Sequence, residues 1–258
     1  MGKFVNCTIN EKIGYIKMNR PEKLNALSRE LVGDLLEAID ELARNKEVKV
    51  IILSGEGRSF CAGGDIESMK NLSGANDVVQ WIHYVSSVTT KLMNLDKYVI
   101  AAVHGYAAGA GFSLALAADF IVASNTAKFA FSFTNVGLIP DLGLIKLLIE
   151  RVSPPIAKEW ISSGKVLTAK EAYQNQIINR VTNEDVLDEA RHFAQFIVDG
   201  PPITNKYVKY LINHVGELHQ ETAFQQENMI QALLLQTEDH KEGVSSFFEK
   251  RKPNFKGI

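Results

Sequence analysis

Short apolar or alternating runs at residues 14–18, 48–53, 99–104, 120–123 and 177–181 read as strands, and stretches of helical periodicity fill most of the gaps between them. Strands that alternate with helices argue for an α/β core with largely parallel pairing. In the first long gap Leu31, Leu35, Ile39 and Leu42 form one helical stripe behind a cap at Ser28. After Gly200-Pro201-Pro202 the texture changes: strand-like runs stop, and 206–218, 221–236 and 240–250 all read as helices. The expected division is therefore a core over 1–200 and a helical segment over 201–258. Pattern alone fits a doubly wound sheet and a spiral of strand-strand-helix turns equally well.

A chain of 258 residues buries roughly 70–75% of its unfolded surface, so a sizeable core is available. Its net charge of −2, with lysines and arginines scattered, leaves no basic stripe for nucleic acid. Cys7 and Cys61 cannot make a disulfide framework, and no cysteine or histidine spacing matches a metal site. A reducing, cytoplasmic setting is expected. Met1-Gly2-Lys3-Phe4-Val5-Asn6 lacks an apolar signal core, and no apolar run reaches the ~18 residues a membrane span needs, so no membrane partner is expected. Asn6-Cys7-Thr8 and Asn71-Leu72-Ser73 then count as chance glycosylation matches.

Two glycine-rich turns carry the chemistry. Phe60-Cys61-Ala62-Gly63-Gly64-Asp65 and Gly105-Tyr106-Ala107-Ala108-Gly109-Ala110-Gly111 each follow a strand-like run and lead toward a helix start. Small side chains let a ligand approach main-chain N–H groups, and a helix start leaves its first N–H groups unpaired. Two such donors from separate loops can hold one developing negative charge, which is an oxyanion hole.

Four segments in order, Asn19-Arg20-Pro21-Glu22-Lys23-Leu24-Asn25-Ala26-Leu27, the turn from Cys61 to Asp65, Val103-His104-Gly105-Tyr106-Ala107 with Gly109 to Gly111, and Gly137-Leu138-Ile139-Pro140-Asp141, resemble the enoyl-CoA hydratase/isomerase (crotonase) superfamily. The tail Phe247-Phe248-Glu249-Lys250-Arg251-Lys252-Pro253 extends the resemblance over nearly the whole chain. It implies the spiral fold, a C-terminal helical segment that packs neighbouring subunits into a homotrimer or dimer of trimers, and an acyl-CoA thioester as substrate, with no cofactor beyond its CoA. It implies oxyanion donors at the backbone of Gly64 and Ala110. Lys23, Leu24, Ala26 and Ala62 would lie beside the CoA, Asp65 and Ile66 would shape the turn, and Phe248 and Lys256 would cover the phosphates of a neighbouring subunit's CoA.

One departure is informative. Where hydratases of this family carry their two catalytic glutamates, this chain has Ser113 and Phe133, and neither can replace a carboxylate. Asp141 does match an acid used by several superfamily isomerases, and the surrounding residues resemble the 1,2-epoxyphenylacetyl-CoA isomerase-like branch. The resemblance thus implies an isomerase that shifts an enoyl-CoA double bond or related ring through an enolate, with Asp141 as acid/base. An apolar wall of Phe131, Phe133 and Leu138 would raise its pKa. The alternatives are a hydratase, a silent CoA-ester-binding paralogue and, for Asp141 itself, a structural helix start before Leu144, Leu147 and Leu148. Gly143-Leu144-Ile145 replaces the Gly-Gly-Thr usual in the resembling isomerases. Trp81 and Tyr84 either line the acyl site or pack. Gly111-Phe112-Ser113-Leu114-Ala115 only superficially resembles a nucleophile elbow, because Ser113 falls inside the expected helix.

Overall fold

The computed structural model describes residues 2–70 and 72–258, so Asn71 of the second glycosylation match lies outside the described residues. The strands are β1 Val5–Asn10, β2 Ile13–Met18, β3 Val50–Gly55, β4 Tyr98–Val103, β5 Tyr106–Ala108, β6 Phe120–Ser124, β7 Lys128–Ala130, β8 Val166–Thr168 and β9 Arg180–Thr182. A six-stranded sheet runs in the order β1-β2-β3-β4-β6-β9, antiparallel at β1·β2 and parallel elsewhere. A smaller sheet has the order β5-β7-β8, and the bridges Leu27·Gly64 and Cys61·Ala107 extend this second layer. Successive turns of chain therefore lay one segment in the large sheet and one in the small layer, with helices between. This is the strand-strand-helix spiral, and of the two architectures the pattern allowed it excludes the doubly wound sheet.

Parallel strands are buried on both faces, and here alternate residues serve opposite sides. Ile51, Leu53, Val99 and Ala101 face the main core, whereas Val50, Ile52, Ile100 and Ala102 face α8, Val186–Asp199, through its Val186, Ala190, Ala194 and Ile197. On the main-core side lie α1 Arg29–Arg44, α3 Gly74–Met93, α4 Ala110–Leu116, α5 Leu144–Ile149, α6 Pro154–Ser163 and α7 Ala169–Gln174, while the short α2 Ile66–Lys70 has no buried residue. Ser28 caps α1 as expected, its Oγ accepting from Leu31 N–H at 3.3 Å, and the Leu31, Leu35, Ile39, Leu42 stripe is buried.

One strand expectation changes, and β1, β5, β7 and β8 go beyond the five runs read as strands. The run at 177–181 starts late, because Ile177 and Ile178 are spent in the core after a left-handed Gln176, and pairing begins at Arg180. The edge strand β1 has only Val5 and Cys7 buried, too few apolar residues to read as a run.

After Gly200 the chain forms α9 Pro202–His214, α10 Gln220–Leu234 and α11 Glu238–Glu249. Lys209 ties α9 to the core: its Nζ donates to Leu92 O at 2.8 Å, Lys97 O at 3.0 Å and Asp119 Oδ2 at 2.8 Å. The tail folds back on α11, where the Asp239 carboxylate accepts from the N–H groups of Lys256 and Gly257. Met229, Phe247 and Phe248 are 73%, 78% and 76% exposed, a heavy apolar load on one region. Among the described residues no helix is long and apolar enough to cross a membrane.

Candidate active site

The segment around Cys61 is zipped on both flanks. Cys61 N–H donates to Tyr106 O and Ala108 N–H to Cys61 O, each at 3.0 Å, while Leu27 N–H donates to Gly63 O at 2.8 Å and Ala62 N–H to Leu24 O at 2.9 Å. Between these bonds Gly64 N–H and Ala110 N–H donate to no backbone acceptor among the described residues. The two turns touch. A Cβ on Gly63, whose φ is +108°, would stand 2.9 Å from Ala108 O and 3.5 Å from Ala110 N, and one on Gly111 would stand 2.2 Å from Cys61 O. Glycine is therefore required where the loops meet, and the free N–H of Ala110 opens α4, the wholly buried helix behind it.

Asn25 and Arg20, which the sequence pattern did not single out, fix the first turn together with Asp65. Asn25, fully buried with φ +57°, accepts from Arg20 N–H at 2.9 Å and donates to Glu56 O at 3.0 Å and Ser59 O at 2.9 Å. Arg20 Nη1 meets Asp65 Oδ2 at 2.6 Å, and Asp65 Oδ1 accepts from Glu67 N–H at 3.0 Å. Burial alone would raise the Asp65 pKa, but Arg20 and these N–H bonds hold it below the usual carboxylate range. Their signal was an asparagine able to adopt the left-handed conformation inside a loop that must return to a strand. Cys61 donates to Asn25 O at 3.1 Å, and burial pushes its thiol up to about 12, so it is inert packing.

Leu24, Ala26 and Ala62 are half-buried and form a rim with the exposed Lys23, which pairs with Glu67 at 2.9 Å, and the exposed Ile66. Ser113 is fully buried with its Oγ 3.4 Å from Gly109 O. The Phe133 ring closes on the same glycine, 3.9 Å from where its Cβ would be. Both positions thus crowd Gly109 and neither titrates. The expected wall shrinks to Phe133: Phe131 is core, packed on Phe112 and Trp160, and Leu138 is 53% exposed. Trp81 is buried against Tyr84 with its Nε1 unpartnered, and Arg29 lies over both rings. Phe248 and Lys256 lie apart, on the C-terminal segment beside Phe255 and Glu242 respectively.

Asp141 lies three residues before the start of α5, which packs on α4. Its carboxylate does not cap that helix: the N-cap is Gly143, with no side-chain cap bond, and Asp141 contributes only its carbonyl, to Leu144 N–H at 3.1 Å. Asp141 Oδ1 is buried without a hydrogen-bond partner among the described residues. Burial pushes the carboxyl up to about 6, opposed by its own backbone N–H. A carboxyl with one buried oxygen unpartnered, poised near neutrality, is equipped to exchange a proton. Ser113 has no histidine partner, since its hydroxyl bonds Gly109 O, and His104 is turned to Gly57 O at 3.0 Å. No group of three or more potential ligands suits a metal among the described residues.

A family model described as "Enoyl-CoA hydratase/isomerase" matches residues 8–258. The 1,2-epoxyphenylacetyl-CoA isomerase of Escherichia coli is 32% identical over 261 residues, with 100% of each chain covered. The 2,3-dehydroadipyl-CoA hydratase of the same organism is 32% identical with 96% of each covered. Among solved structures, an enoyl-CoA hydratase from Polaromonas superposes with a TM-score of 0.94 at 30% identity, covering 97% of this chain and 99% of that one.

Proposed function

Since the chain belongs to the enoyl-CoA hydratase/isomerase family, we propose that it is an acyl-CoA isomerase that shifts an enoyl double bond, or a related ring, through a thioester enolate. The desolvated Asp141 carboxyl, with its Oδ1 unpartnered, carries this reading. Asp141 takes a proton from one carbon of the acyl chain; negative charge collects on the thioester oxygen, which accepts from Gly64 and Ala110 N–H; Asp141 returns the proton to another carbon. Each well-aimed donor is worth about 3 kcal/mol in the transition state. One carboxylate suffices because the proton leaves and returns by the same group. Adding water needs a second acid or base, and Ser113 and Phe133, both set against Gly109, supply none.

The rim of Lys23, Leu24, Ala26 and Ala62 would seat the CoA, which the substrate itself brings and which is the only cofactor assigned. Asp65, through its bonds to Arg20 and Glu67, shapes the turn with Ile66. The exposed Met229, Phe247 and Phe248 support residues 201–258 as the segment that joins subunits in a trimer or dimer of trimers. There Phe248 and Lys256 would cover the CoA of a neighbour.

The test is mass spectrometry in heavy water with 2-enoyl- and 3-enoyl-CoA esters. Deuterium uptake with bond migration and no added water is the expected result. Hydration would point to the hydratase alternative, and tight binding without exchange to a silent paralogue. Gly111→Ala should slow the exchange by about 10²-fold or more, as expected when an oxyanion donor is displaced. Its Cβ would push the Cys61 carbonyl, and hence the first turn, away from Ala110. An unchanged exchange rate in that variant would contradict the assignment of the hole.

A further inference from the structure

Leu142 has φ +53° and is 4% exposed. Among the described residues it is the only buried apolar residue in the left-handed region, a conformation that a Cβ disfavours. Gly143 follows it with φ +86° and is the N-cap of α5. With both residues right-handed, α5 would extend back toward Asp141, whose carboxylate would cap it as aspartates at helix starts usually do. Two consecutive left-handed residues instead turn the chain, the cap is left without a side chain, and Asp141 Oδ1 stays unpartnered. The Leu144 N–H to Asp141 O bond closes the turn over Leu142 and Gly143, and the Leu142 side chain, packed into the main core, holds the residue in its disfavoured conformation.

We infer that Leu142 is a positioning residue: its buried side chain anchors a left-handed turn that withholds the Asp141 carboxylate from the N-terminus of α5 and keeps it free for proton transfer. The inference rests on the proposed role of Asp141. It assigns the strain at this turn to function, since glycine at 142 would avoid it and the core alone would accept Leu in many other backbones.

Charged groups on neighbouring elements do not set the Asp141 environment. On α5 Lys146 pairs with Glu217 and Glu150 is exposed. On α6 Lys158 and Glu159 are exposed, and α4 carries no charge. Arg151 donates to Leu147 O and Leu116 O. The conformation of the turn is therefore what a variant at 142 changes.

Alanine and glycine at 142 separate anchoring from packing. Leu142→Ala removes the anchor yet keeps a Cβ that opposes the left-handed backbone, so the turn should relax and Asp141 should cap α5. Leu142→Gly also removes the anchor, but glycine tolerates the turn. In substrate-free protein, carbon-13 NMR of the Asp141 carboxyl, identified by its loss in Asp141→Asn, should titrate about one unit or more lower in Leu142→Ala and less displaced in Leu142→Gly. Deuterium exchange should fall about tenfold or more in the alanine variant and less in the glycine one. A side chain that merely fills space gives the opposite order, glycine at least as damaging as alanine with the Asp141 titration unmoved, and that result overturns the inference. Thermal unfolding shows whether either variant has folded, and Leu142→Asn, which tolerates the left-handed region, replaces the glycine variant if that one has not. Because the NMR titration needs no turnover, it tests Leu142 even if Asp141→Asn proves active and the isomerase reading itself fails.

Discussion

Asp141→Asn is expected to lower turnover by roughly 10²–10⁴-fold, the usual contribution of a positioned acid/base, while the affinity for acyl-CoA esters changes little. Asparagine keeps the size of the side chain but cannot carry a proton between two carbons. Parent enzyme should show a rate that rises with pH through about 6, where the buried carboxyl loses its proton and becomes the base. The variant's residual rate should lack that limb. Stability moves the other way. The Asp141 pKa is raised in the folded state, so its proton favours the fold, and that stabilisation is lost as pH climbs from the ordinary aspartate range through about 6. Above pH 6 the parent holds a desolvated charge that the variant lacks. Asp141→Asn should therefore melt higher than the parent at pH 8, the difference fading toward pH 4. A variant that is equally active, or less stable at pH 8, would show that the carboxylate serves the structure.

The second large effect is structural. Lys209→Met should destabilise the protein by about 3–5 kcal/mol, the cost of stripping one partner from a buried ion pair, measured as a fall in the denaturant midpoint. The two side chains are 2% and 11% exposed, and the ammonium also satisfies the carbonyls of Leu92 and Lys97. Burial pulls the Lys209 pKa down and pushes the Asp119 pKa up, each opposed by the partner's charge. With Lys209 gone, Asp119 keeps the Val99 N–H at 2.7 Å but loses its cationic hydrogen-bond partner. Adding Asp119→Asn to the lysine variant should recover part of the loss, because it removes the orphaned charge and retains an acceptor for Val99. No recovery would mean that the cost lies in α9 packing and not in the ion pair.

The glycine turns and the helix stripes were legible because their signals are local: a missing Cβ, a period of 3.6, a serine before an apolar face. The spiral itself was not, since which strands pair is decided by partners far away in the chain, and only the resemblance separated it from a doubly wound sheet. Lys209 reads as one more lysine on a helix until Asp119 is placed beneath it. Arg20 and Asp65 likewise sit on separate loops and acquire meaning only as a pair. At Asp141 the sequence left helix cap and free acid both open. The backbone angles of Leu142 and Gly143 exclude the cap, and a leucine carries no sign of being left-handed.

Gly64 and Ala110 belong to successive coils of the spiral, and what brings their N–H groups together is the seam where Cys61 pairs with Ala107. Neither coil would hold the proposed oxyanion hole on its own. Charge stabilisation by these two groups would then be a property of docking one coil on the next, and a loosened seam would remove it while every helix and strand remains formed. Secondary-structure content is then a poor proxy for competence during refolding or heating: the chain can look native by its backbone spectrum and still have nowhere to put an oxyanion.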